Sequence, residues 1–287
     1  MKHAWLISGA LVLGLCASAP AFADDAAVFY NQGLILKRQG KTAEAIAEIK
    51  KAITARKDYA AAWFTLGNLY RGEGDYPNAA QAYQKTTELQ PKDAPGHANL
   101  GALYIRMKRI DEGIKELEIA ASIQPDDYET QATLGTACRQ KGDYPRAISH
   151  LKKATELKPE QALAWSNLGV ALTKTSDRDG AIKAFQKAIA IEPNSGMTHF
   201  NLAVVYRQQK RIDDAIPEYQ EAVKLDPSLS GAYYDLGLLY SQDRRHEEAL
   251  DAFKKYLSTS DHRDSASEKD AEERIKSLEA AAPKKKQ

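Results

Sequence analysis

Side chains able to do chemistry are present, yet none of them assemble into a reactive constellation. There is no Gly-rich phosphate loop, no His-Glu-x-x-His, no pair of cysteines at metal spacing and no nucleophile elbow. The histidines are scattered. His150, His246 and His262 lack partners at metal-ligand spacing, and His97 and His199 stand where Trp63 and Trp165 stand elsewhere, which reads as helix packing. What recurs is an amide. Asn31, Asn99, Asn167 and Asn201 lie multiples of 34 residues apart, with Thr65, Thr133 and Asp235 in the remaining places. A carboxamide carries a donor and an acceptor in one plane and so matches the N–H and C=O of a peptide bond. The chemistry expected is recognition of extended polypeptide, with no catalytic residue, no cofactor and no metal.

The elements that must position these amides follow from the same period. Pro91, Pro125, Pro159, Pro193 and Pro227 are spaced by 34 residues, as are Gly33, Gly67, Gly101, Gly135, Gly169 and Gly237, with Ala203 in the one gap. A leucine precedes each of these positions from Leu66 on. Three residues after come Leu36, Tyr70, Tyr104, Cys138, Leu172, Tyr206 and Tyr240; twelve after, small residues from Ala45 to Ala249; sixteen after, larger apolar groups from Ile49 to Phe253. Each period reads as a helix, a polar break, a second helix and a proline that cannot continue it. A glycine inside a helix costs about 1 kcal/mol relative to alanine, so its recurrence requires a reason. It lies on the core face, where a side chain would hold paired helices apart. Single hairpins cannot bury their own apolar face, so they must stack.

These columns resemble the tetratricopeptide repeat, with its Trp, Leu-Gly, Tyr, Ala, Phe, Ala and Pro at fixed offsets. The resemblance implies an all-α, right-handed solenoid of about seven helix-turn-helix units. They occupy residues 24–263, as repeats 26–59, 60–93, 94–127, 128–161, 162–195, 196–229 and 230–263. A capping helix is expected over 264–282, with a narrow apolar stripe of Ala271, Ile275, Leu278 and Ala282, and a disordered Lys-rich tail over 283–287.

At roughly 100° per residue, the outer face of each first helix carries the positions six and two before the glycine and one and five after it. By resemblance, this face lines the concave wall. The asparagine column lies there and is similar to the ladder in the repeat region of O-linked GlcNAc transferases. The alternative is that these amides contact the neighbouring repeat or water. Four and five residues after the glycine, every repeat but the last has a basic residue, among them Arg106, Arg139, Lys174 and Arg207. That strip suits acidic partners, or complements the helix dipoles. Asn68 and Asn99 match two places of the carboxylate clamp known in the family, but Phe64 stands where its first lysine belongs, and Glu129 and Thr133 replace its last lysine–arginine pair. The clamp is absent.

Residues 1–23 differ from all that follows. A basic start, an apolar run from Trp5 to Leu15 and Ala21-Phe22-Ala23 form a secretory signal with cleavage after Ala23, which implies a periplasmic or secreted protein. Leu15 before Cys16 is too bulky for a lipoprotein signal. Removing Lys2 from 40 basic and 39 acidic residues leaves no net charge, so bulk attraction to nucleic acid or an anionic membrane is not expected. No later run spans a membrane, and Cys138 is left without a partner. The expected function is a non-enzymatic scaffold or assembly factor of the cell envelope that captures extended segments. The alternatives are a self-associating structural protein, or an accessory subunit of a glycosyltransferase or secretion machine.

Overall fold

The computed structural model describes residues 24–260 and 265–281. The expected signal segment and the Lys-rich tail lie outside them. The described residues form helices in two units. The first contains α1 (Asp25–Arg38), α2 (Thr42–Ala55), α3 (Ala60–Gly72) and α4 (Tyr76–Leu89). The second contains α5 (Ala94–Arg106), α6 (Ile110–Ile123), α7 (Tyr128–Lys141), α8 (Tyr144–Leu157), α9 (Ala162–Lys174), α10 (Arg178–Ile191), α11 (Gly196–Gln208), α12 (Ile212–Leu225), α13 (Ser230–Gln242), α14 (His246–Thr259) and α15 (Ser265–Ala281). Odd and even helices pair as antiparallel hairpins, and α15 follows the seventh pair. Within each unit, the second helix of one hairpin packs on the first helix of the next.

The hairpins turn through one shared conformation. Seven residues after the glycine column, Gly40, Gly74 and Gly142 have φ of 75°, 79° and 85°, and Lys108, Ser176, Lys210 and Arg244 have φ of 64°, 64°, 60° and 58°. A left-handed residue with a Cβ costs about 1–2 kcal/mol. Lys210→Gly is therefore expected to stabilise the chain by about 1 kcal/mol, read as a higher urea midpoint. An unchanged or lower midpoint would show that the lysine is not strained there. Pro77 and Pro145 occupy the second helical position, one later than the first position that suits proline best.

Close approach within each hairpin explains the glycine column. A Cβ on Gly67, Gly135, Gly169 or Gly237 would lie 2.7 Å from Tyr83, Leu151, Phe185 or Phe253, each sixteen residues on and fully buried. Two positions of the first helix, five before and two after the glycine, face the preceding hairpin. They are buried as Ala62 and Leu69, Thr130 and Ala137, Ala164 and Ala171, Thr198 and Val205, and Ala232 and Leu239. On α1 the same positions, Val28 and Ile35, are 50% and 46% exposed. At the other end, Ala271 of α15 is buried, with Ile275 and Leu278 packed beside it.

The tryptophan column does more than pack. Trp63 and Trp165 are only half-buried, and their indole N–H groups donate to the carbonyls of Lys57 and Pro159, both at 2.9 Å. Gln131 donates its amide to Pro125 O at 2.8 Å, and the Nε2 atoms of His97 and His199 lie 3.1 and 3.0 Å from Pro91 O and Pro193 O. Each thus ties the inter-repeat loop to the helix that follows it. The two histidines are buried, and their Nδ1 atoms meet Glu116 at 2.7 Å and Glu218 at 2.6 Å. Part of the tyrosine column serves a second staple. Arg109, Arg211 and Arg245 stack over Tyr104, Tyr206 and Tyr240 while pairing with Glu112, Asp214 and Glu248.

Candidate functional site

The first helices α7, α9 and α11 come from consecutive hairpins of the second unit and run side by side. Their outer faces border a groove of about 450 Å³. Arg139 of α7, Asn167 of α9 and Asn201 of α11 all line it, so the structure brings together three of the residues singled out by sequence. Val170 adds an apolar wall. Leu163 and Met197, in the first turns of α9 and α11, also border the groove, and they are 69% and 51% exposed. Glu192, at the end of α10, supplies an acidic group on the wall.

Hydrogen bonding separates the members of the asparagine column. Asn167 Nδ2 donates to Thr136 Oγ1 of α7 at 3.2 Å, which restrains the amide plane. This amide both contacts the neighbouring repeat and faces the groove. Asn201 and Asn99 are half-buried, as is Thr133. Asn31 is exposed on α1. Thr65 is buried instead, with its hydroxyl 3.3 Å from Tyr30 Oη, so it is not a groove residue. Asn68 accepts from Tyr83 Oη at 2.8 Å, within its own hairpin.

The basic strip divides in the same way. The Nε of Arg139 is buried and has no hydrogen-bond partner. Arg106 and Lys174 are exposed. Arg207 Nε donates to Tyr219 Oη of its own hairpin at 3.2 Å and lies 3.4 Å from Oδ2 of Asp235 on α13 of the next. Tyr219, fully buried, donates to the same carboxylate oxygen at 2.6 Å. Burial raises the pKa of Asp235, opposed by the Tyr219 hydrogen bond and the Arg207 charge. The last member of the amide column is thus a buried acid serving the core. Cys138 is also fully buried, and burial pushes its thiol up to about 11, so the thiolate is scarce at neutral pH.

The position six before the glycine falls on the outer face by helical geometry, but the residues standing there were not among those expected to bind. They are Leu163 and Met197 in two adjacent repeats, against Ala27, Ala61, Pro95, Glu129 and Gly231 in the others. That contrast was the available signal for the groove.

The geometry agrees with the comparisons. The family described as Cilia and flagella-associated protein 70 C-terminal domain, a tetratricopeptide-repeat family, matches residues 19–273. The chain belongs to this tetratricopeptide-repeat family. Among solved structures, the tetratricopeptide chain is similar to YrrB, described as a TPR protein with an unusual peptide-binding site. Identity is 22%, coverage 64% of this chain and 95% of that one, and the TM-score 0.61. MamA from Desulfovibrio magneticus RS-1 matches at 24% identity, 60% and 98% coverage and a TM-score of 0.56. MamA MSR-1 matches at 27% identity, 58% and 97% coverage and a TM-score of 0.54. No curated protein matches the chain. Tetratricopeptide folds are ordinarily protein-binding and non-enzymatic. Among the described residues no helix is long and apolar enough to cross a membrane, and no three His, Cys, Asp or Glu side chains are grouped to hold a metal.

Proposed function

We propose that this tetratricopeptide protein is a non-enzymatic scaffold that captures extended polypeptide segments, and that it works in the cell envelope after losing its first 23 residues. One observation carries the binding reading: Arg139, Asn167 and Asn201, from three consecutive first helices, line a single groove. Asn167 is held by Thr136, so part of its ordering cost is met before a ligand arrives. Two amides on neighbouring helices can pair with successive peptide groups of one strand, and Arg139 brings a positive charge to the same groove. YrrB, similar in fold, is itself described as having a peptide-binding site. The envelope location rests on the signal-like composition of residues 1–23.

The test uses a pool of unstructured nine-residue peptides measured by fluorescence anisotropy. Asn167→Ala with Asn201→Ala is expected to weaken capture about tenfold or more, with helical content unchanged. Equal capture by wild type and double variant would remove the groove from the binding function.

A further inference from the structure

Leu163 and Met197 are large apolar groups left in solvent at the same position of adjacent repeats, and they stand on the wall of one concavity. An exposed leucine alone means little. Two such groups bordering one groove, with Val170 also on its wall, give it apolar surface that a ligand side chain can cover. Arg139 lies on the same groove and brings its guanidinium charge to it. A carboxylate is the acceptor that best fits a guanidinium. Glu192 on the wall opposes a run of several acids.

We infer that the groove selects an extended segment with one large apolar side chain and one acidic side chain. The apolar group wedges between Leu163 and Met197, the acid pairs with Arg139, and Asn167 and Asn201 hold the backbone between them. This rests on the reading of the groove as a peptide site. Packed helices lie roughly 8–10 Å apart, so the step from α7 to the gap between α9 and α11 is roughly 12–15 Å. An extended chain covers that in about four residues. The acid and the apolar residue are therefore three to five positions apart, on the order of that step.

The experiment is selection of the full chain against an array of random nonapeptides, followed by titration of the best peptide. The expected result is enrichment of Leu, Met, Ile or Phe paired with Asp or Glu at that separation. Leu163→Ser with Met197→Ser should then weaken the selected peptide about tenfold. Both residues are exposed, so the fold survives, as circular dichroism checks. Arg139→Gln should weaken the acidic peptide but not its Asp→Asn or Glu→Gln counterpart. Enrichment without the paired features overturns the inference alone. So does full binding by the Leu163/Met197 variant while the Asn167/Asn201 variant has lost it. An array that selects no peptide overturns the peptide-site reading as well.

Discussion

Replacing Gly101 with alanine is expected to destabilise the chain by about 2 kcal/mol, although alanine is the better helix former by about 1 kcal/mol. The reason is where the new carbon would sit. A Cβ at 101 would lie 2.7 Å from Leu117 Cγ, 2.9 Å from Gly113 O and 3.0 Å from Leu117 N. Two of those three atoms are backbone of α6, so relief requires α5 and α6 to separate. Gly113 faces the same pinch, its own Cβ meeting Gly101 O at 2.8 Å. The control is Gly72→Ala. Nothing lies within 4 Å of a Cβ at 72, near the end of α3, so the propensity gain should appear undiminished, up to about 1 kcal/mol. Urea melts followed by far-UV circular dichroism compare the two directly. If both substitutions stabilised, close approach would not be what keeps glycine at 101.

The second large effect concerns Asp235. Its removal as Asp235→Ala should cost about 2–3 kcal/mol, because Tyr219 would be left buried with a hydroxyl lacking its acceptor. The Arg207 contribution is smaller, since that side chain is 38% exposed and screened by water. Asp235→Asn separates shape from charge. Burial raises the folded carboxyl above its ordinary value near 3.8, so the folded state holds the proton more tightly than the unfolded state does. The stability this confers is complete below the ordinary value and is lost as pH rises through the raised one. Asparagine does not titrate. Wild type should therefore lose ground to Asp235→Asn as pH climbs through that window, measured as paired urea midpoints from about pH 3.5 to 8. A gap moving the opposite way would mean that the Arg207 pair outweighs burial.

The architecture was legible because repetition turns weak preferences into a register. Gly169 and Phe185 are ambiguous alone, but with their counterparts in the other repeats they mark where one helix meets the next. The candidate site was legible only in part. Helical geometry put Asn167 and Asn201 on the outer face, the basic strip beside it supplied Arg139, and one groove holds all three. The same geometry put Thr65 and Asp235 there too, yet both are buried. A helical wheel gives direction without depth, and a neighbour such as Tyr30 or Tyr219 decides whether a side chain reaches water. The indole and imidazole bonds to loop carbonyls were hidden for another reason. Trp, His and Gln look unlike one another in a sequence, although each presents a nitrogen at the same height above the loop.

The first helices α7, α9 and α11 touch one another lightly; α8 and α10 carry most of the packing between these repeats. The groove wall is therefore the side on which the stack is least braced. A strand laid across three such helices would act as a splint, joining repeats that otherwise communicate only through their nearest neighbours. Occupancy would then be felt as stiffness well beyond the residues touched, slowing amide exchange in α8 and α10 on the far side of the wall. Ligand length would count in its own right: a segment reaching two helices fills the same contacts there, but leaves the third repeat free to swing.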